Sequence, residues 1–189
     1  MRRIVVSEFV SLDGVMQDPG GAEKDKFKHG GWTWPYWGED IAKYKNDELF
    51  SSDALLLGRI TYQSFAGAFA PRKDEFSEKM TSNRKFVVSK TLGVVEWNNS
   101  RLIRENIAQE IARLREQQGQ DILVEGSRSI VHLLIRHNLV DLYRLVVYPV
   151  VLGSGYRMFP DGPEMLKLKL TESKTFKSGV IALEYVPEM

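Results

Sequence analysis

The sequence predicts an α/β protein with a mostly parallel sheet, helices on both faces of it, and an antiparallel hairpin at the carboxy terminus. Three observations predict it. Short apolar runs (Ile4–Val10, Ala54–Leu57, Lys85–Ser89 and Asp121–Glu125), each followed by a polar or glycine turn, read as strands buried on both faces. Segments with helical spacing lie between these runs. Near the end, Leu166, Leu168 and Leu170 alternate with lysines, and Ser178-Gly179 then turns the chain into Val180–Val186.

Taken in order, Ile4–Val10 is rich in β-branched residues and runs into the turn Ser11-Leu12-Asp13-Gly14. The stretch from about 15 to 38 holds Asp18-Pro19-Gly20-Gly21, Gly30-Gly31 and Pro35 and reads as one long loop. Loops of this length inside a domain are uncommon and usually serve function or move. A helix follows over 39–50, with Ile41, Tyr44 and Leu49 inward. After the strand Ala54–Leu57 come helices from Arg59 and over 74–81, the strand Lys85–Ser89, and short strands near Val94–Glu96 and Arg101–Ile103. Ile107–Gln118 is the clearest helix, with Asn106 and Gln109 resembling a capping box and Gly119 as its stop. Beyond the strand Asp121–Glu125 lie a helix over Ile130–His137 and a long strand over Leu142–Val151. The 189 residues suit a single domain, large enough to bury roughly two-thirds of its unfolded surface.

Composition removes several function classes. The chain has no cysteine, which excludes a disulfide scaffold, a thiolate nucleophile and a cysteine-ligated zinc. A formal net charge of +1 gives no global attraction to nucleic acid or an anionic membrane, and Lys24, Lys26 and Lys28 are interleaved with acids. Ser7 and Glu8 break the first apolar run too early for a secretory signal, and no run approaches a membrane span. A cytoplasmic location is expected. The three histidines lack metal-ligand spacing, so no metal is expected.

Two glycine turns carry the chemistry. Gly58-Arg59-Ile60-Thr61 and Gly126-Ser127-Arg128-Ser129 each stand between a buried strand and a helix start. Glycine lets a ligand approach the backbone, and the free N–H groups of the next helix face an anion. Arg59, Thr61, Ser127, Arg128 and Ser129 add charge and hydroxyl donors. Ser89 and Lys90 follow a third strand and suit an adenosine 2′-phosphate; Lys90 also suits plain solvation. Together they predict a dinucleotide site for NADPH, without the Rossmann fingerprint: Gly153-Ser154-Gly155 begins that pattern, but Met158 stands at its third glycine.

The segment Gly58-Arg59-Ile60-Thr61-Tyr62-Gln63-Ser64-Phe65 resembles the diphosphate-gripping segment of dihydrofolate reductases. Ser11-Leu12-Asp13-Gly14, Val124-Glu125-Gly126-Ser127, Leu139-Val140-Asp141-Leu142 and Tyr148–Gly155 resemble the reductase domain of riboflavin biosynthesis, in its stand-alone form. Serine replaces the second glycine of that domain's Glu-Gly-Gly turn. The resemblance spans Arg3 to about Val186. It implies a dihydrofolate reductase-like three-layer fold, a homodimer, and hydride transfer from NADPH to a pyrimidine- or pteridine-like substrate. It also puts Asp13 and Glu125 near substrate or nicotinamide, as catalytic acids with raised pKa.

Other readings stand beside these. Asp13 also suits a turn aspartate bonding its own backbone, whereas an acid ending an apolar strand, as Glu125 does, has no evident structural purpose. Asp40 resembles the pteridine-binding carboxylate of true folate reductases, and equally suits a first-turn helix aspartate. Trp32 and Trp34, in the long substrate-side loop, either stack on a heterocycle or anchor the loop by packing. A non-catalytic nucleotide-binding or dimerisation domain is the expectation if Glu125, Asp13 and Asp40 all lie far from the cofactor.

Overall fold

The structure, a computed structural model, describes residues 1–22, 26–162 and 165–188, so Lys24 lies outside the described residues. In β1 (Ile4–Ser11), Ile4 and Val6 point into one core cluster and Val5 into another. The same alternation runs through β2 (Ser52–Gly58), where Ala54 and Leu56 oppose Leu55 and Leu57. It recurs in β3 (Arg84–Val88) and in β5 (Asp121–Val124), where Ile122 and Val124 oppose Leu123. A strand apolar on both faces needs a layer on each side. One layer is α4 (Ile107–Glu116) with α5 (Arg128–Arg136), which bury Ile111, Leu114, Ile130, Val131 and Leu134. The other is α1 (Glu39–Phe50), α2 (Arg59–Phe69) and α3 (Glu75–Ser82), which supply Leu49, Tyr62 and Met80.

With β4 (Ser100–Ile103), β6 (Leu142–Tyr148), β7 (Leu168–Thr175) and β8 (Ile181–Pro187), the sheet runs β4-β3-β2-β5-β1-β6-β8-β7. Among the described residues five pairings are parallel, and only β6–β8 and β8–β7 are antiparallel. The register opens a gap. β5 accompanies β1 only through Ile4–Val6, whereas β6 runs alongside it from Val5 to Ser11. Beyond Val6, one edge of β1 is therefore uncovered. From the two strands at this gap, α1 and α5 depart over opposite faces, the switch point at which open α/β sheets bind ligands.

Three local expectations need correction. Val94–Glu96 forms no strand, because both edges of β3 are already paired and Val94 is 69 % exposed. β6 stops at Tyr148, where Pro149 lacks the N–H that would continue the ladder. The capping box on α4 is not made: Asn106 sits in the left-handed region at φ +47° with no side-chain cap bond. Among the described residues no helix is long and apolar enough to cross a membrane.

Candidate active site

A cavity of about 440 Å³ fills the gap beside β1 and continues between the β5–α5 turn, the first turn of α2 and residues 16–22 of the long loop. Its size suits a small organic ligand.

One end is built for an anion. Gly58 and Ser127 are the N-cap residues of α2 and α5, and neither helix has a side-chain cap bond, so both present free backbone N–H groups. The two helix starts abut: Gly58 N–H donates to the Gly126 carbonyl at 3.2 Å. A Cβ on Gly58 would lie 2.9 Å from Ser127 Cβ and 3.1 Å from Ser127 N, so only glycine permits this approach. Gly126 sits at φ +97°, and a Cβ there would meet Thr61 Oγ1 at 2.8 Å. The Gly126–Ser127 peptide is cis. Ser127 and Ser129 hydroxyls are hydrogen-bonded at 2.9 Å, and the Arg128 guanidinium lies 4.1 Å from the Tyr156 ring centroid.

Of the residues expected to hold a cofactor, Thr61, Gly126, Ser127, Arg128 and Ser129 line the cavity, and Gly58 backs Ser127. Exposed Arg59 reaches instead toward Gln63 at 3.3 Å. Ser89 and Lys90 share this sheet edge, since Gly58 is in register with Val88 one strand over. Ser89 Oγ is occupied by the N–H groups of Thr91 and Leu92, at 3.2 and 3.0 Å, while the Lys90 side chain is exposed.

The other end is ionic and buried. Glu125 leaves β5 into the cavity, and its Oε1 meets Lys45 Nζ at 2.7 Å. Lys45 also donates to Glu48 and, at 2.9 Å, to Ser7 Oγ, which commits all three of its protons. Behind it Arg144 touches Glu48 at 3.4 Å and Glu184 at 2.6 Å. Burial pulls the Lys45 ammonium down, but Glu125 and Glu48 outweigh burial and hold it charged, above an ordinary lysine. Burial pushes the Glu125 carboxyl up, Lys45 opposes this, and Glu48 adds to it; the net direction is upward. Glu8, 8 % exposed, also faces the cavity.

Glu8 and Lys45 are absent from the residues selected in the sequence, although each leaves a signal there. Glu8 shares the face of Ile4, Val6 and Val10, an acid inside an apolar alternation. Lys45 and Glu48 share the stripe of Ile41 and Leu49, the spacing of a buried helix face.

Asp13, Asp40, Trp32 and Trp34 lie off the cavity lining. Trp32 is buried against Tyr148 and donates to the Gln17 carbonyl at 2.8 Å; Trp34 donates to Gly20 at 3.1 Å, so both tie the loop to itself. Asp40 accepts from Ile41 N–H and Lys177 N–H, each at 3.0 Å, beside a separate shallow cleft. Asp13 accepts from Ser11 Oγ at 2.6 Å, Leu152 N–H at 3.1 Å and Gly153 N–H at 2.8 Å. The expected upward shift of Asp13 is thereby reversed. The Ser11 hydrogen bond, then those from the two backbone N–H groups, outweigh burial and bring its carboxyl down to about 2.

A depressed aspartate contributes stability above its unfolded value, here 3.8, and loses it as pH falls through the folded value of about 2. Asp13→Asn, which cannot accept both N–H groups, is expected to cost about 1–2 kcal/mol at pH 6 after solvent screening. The deficit closes as pH approaches 2. Thermal melts across pH check this, and a gap independent of pH would show that Asp13 does not pin this turn through its charge.

Comparison with known proteins agrees with this architecture. The uncharacterized protein YyaP of Bacillus subtilis (strain 168) is 31 % identical over 97 % of this chain and 94 % of its own. A putative riboflavin biosynthesis protein from Shewanella sp. PV-4 superposes with a TM-score of 0.76 at 20 % identity, covering all of both chains. Dihydrofolate reductase from Enterococcus faecalis, solved with NADP(H), superposes with a TM-score of 0.61 at 12 % identity over 99 % of this chain and 97 % of that one. The fold is thus dihydrofolate reductase-like. The RibD C-terminal domain model matches residues 2–182. With the glycine-joined helix starts and the acid at the end of β5 in place, the chain belongs to the RibD C-terminal domain family, a family of reductase domains.

Proposed function

We propose that this protein is an NADPH-dependent reductase of a pyrimidine- or pteridine-like heterocycle, resembling 5-amino-6-(5-phosphoribosylamino)uracil reductase. The observation that carries this reading is the joining of two chemistries in one cavity, an anion cradle at one end and a buried Lys45–Glu125 pair at the other. The cradle fits a diphosphate: two uncapped helix starts lie side by side where any Cβ on Gly58 would intrude. Thr61, Ser127, Arg128 and Ser129 would hold it. NADPH, when bound, supplies the hydride. Glu125, fixed by Lys45, would accept a hydrogen bond from a ring N–H, with Phe9 and Met16 as apolar walls for a flat ring. Family membership and the NADP(H) complex of the Enterococcus enzyme support the choice of cofactor. A folate reductase has less support, because α1 presents Lys45 rather than Asp40 to the cavity.

Fluorescence titration with NADPH and NADH tests the cofactor, and NADPH oxidation with dihydrofolate and with 5-amino-6-(5-phosphoribosylamino)uracil tests the substrate. Failure to bind either nucleotide below about millimolar, a contact energy of roughly 4 kcal/mol, would sink the reading. Lys90→Ala is expected to weaken NADPH roughly tenfold, one charge-assisted contact, and to leave NADH unchanged. Equal loss for both nucleotides would remove Lys90 from the 2′-phosphate.

A further inference from the structure

Five buried side-chain polar atoms lack a hydrogen-bond partner among the described residues, and of these only Glu8 Oε1 belongs to a residue lining the cavity. An unpaired buried oxygen costs more as part of a carboxylate than of a neutral acid, and Glu8 also lines the cavity, where a ligand can meet its carboxyl. A carboxylate there would need a cation, and among the described residues none forms an ion pair with Glu8. Lys45 has spent its three protons on Ser7, Glu48 and Glu125, and Arg144 is held by Glu48 and Glu184. Among the described residues these two cations already serve three carboxylates, so a fourth negative charge at Glu8 would have no ion pair of its own. The groups facing Glu8 are Glu125 and the Gly126 N–H from the β5–α5 turn, and Lys45 and Glu48 from α1. Burial first, then Glu125, push the Glu8 carboxyl well above the ordinary glutamate range, and Lys45 and the Gly126 N–H only partly oppose them.

We propose that Glu8 is the cavity's catalytic acid: an un-ionised carboxyl that hydrogen-bonds a ring nitrogen of the substrate's C=N bond and passes its proton to that nitrogen. The inference rests on the reductase reading and extends it to a substrate class. Glu8 offers a donor and Glu125 an acceptor, so the edge they recognise carries a hydrogen-bond acceptor beside an N–H, as in a cyclic amidine or dihydropyrazine-type imine. In the reduction the C=N π bond breaks, its carbon gains the hydride of the dihydronicotinamide, and its nitrogen gains the Glu8 proton. The products are the ring amine, oxidised nicotinamide and a Glu8 carboxylate, which the Gly126 N–H supports until water reprotonates it. Two buried carboxyls in one site thus take different roles because Lys45 contacts only one of them.

Infrared spectra of the full chain carrying ¹³C-labelled glutamate, without cofactor, read the protonation state directly. A carboxylic-acid band persisting at pH 7 in the wild type and missing in Glu8→Gln is expected. Ionisation of every glutamate at pH 7, or survival of the band in the variant, would overturn the proposal. Gln is an isostere of the neutral acid, so E8Q is expected to keep the wild-type Tm and NADPH affinity within about twofold. With dihydrofolate, the one of the two substrates named above that carries a ring C=N bond, its rate falls by about 10²- to 10⁴-fold, the usual worth of a positioned acid. An unchanged rate in E8Q, with the wild type active, would overturn the role of Glu8 alone. A wild type that neither binds NADPH nor oxidises it with either substrate would overturn the reductase reading, and this inference with it.

Discussion

Lys45→Met is expected to lower stability by roughly 3–5 kcal/mol, the cost of breaking a buried ion pair by removing one partner. For a chain of this size that is a fall of about 6–20 °C in Tm. Methionine matches the lysine stem, so the loss is electrostatic. Lys45 is 7 % exposed, and its ammonium touches Glu48, 4 % exposed, and Glu125, whose side chain is 14 % exposed. Without it two carboxylates lie in low dielectric with, among the described residues, only Arg144, 3.4 Å from Glu48, as a cation in contact. The pH dependence has a definite sign. Burial already raises the folded Glu125 carboxyl above its ordinary 4.5, and loss of the opposing Lys45 charge raises it further. Such a group binds more protons folded than unfolded, so its contribution is complete below the unfolded value and disappears as pH rises through the folded one. The deficit of K45M should therefore be small near pH 4.5 and grow toward pH 8. Adding Glu125→Gln should return about 1–3 kcal/mol, because the stranded charge is removed with the pair. Denaturant melts of both variants at two pH values decide it. A K45M deficit below about 1 kcal/mol, well under the 3–5 kcal/mol expected, would mean the interior tolerates these charges without lysine.

The layers were legible because apolar alternation in strands and the spacing of Ile111 and Leu114 in α4 are local patterns with a single packing solution. The two glycine turns were legible for the same reason: each lies within a few residues of one strand end. The ionic half of the cavity was not, since it is assembled from residues far apart in the chain. Lys45 meets Glu125 across 80 positions, and Glu8 joins them only because β5 ends opposite Val6 and leaves the edge of β1 open. Asp40 and Asp13 each stand in a segment that resembles a reductase motif. Both turn out to spend their oxygens on backbone N–H groups, which a sequence does not display. The cost of burial marks them in the sequence: Lys45 and Glu48 on an apolar helix face and Glu125 at the end of an apolar strand need partners, and Lys45 serves both acids.

Gly58→Ala is the sharpest test of the other half of the cavity. Position 58 has φ −77° and ψ 163°, a conformation any residue adopts, so backbone strain plays no part. What alanine adds is a Cβ 2.9 Å from Ser127 Cβ and 3.1 Å from Ser127 N. The Ser127 hydroxyl can rotate, but its backbone nitrogen cannot move without shifting the start of α5. Overpacking of this kind costs about 1–3 kcal/mol. The larger effect falls on ligand binding, since the free N–H groups of α2 and α5 converge only while the two chains abut at this glycine. A displacement of the order of 1 Å there is expected to weaken NADPH by about 10²-fold, nearly 3 kcal/mol. Gly67→Ala is the control. It lies within α2, where an added Cβ meets nothing within 4 Å, so it should raise stability by about 0.5–1 kcal/mol and leave NADPH affinity unchanged. If G58A bound NADPH as tightly as G67A, the junction of the two helix starts could not be the diphosphate cradle, and the cofactor would have to lie along another wall of the cavity.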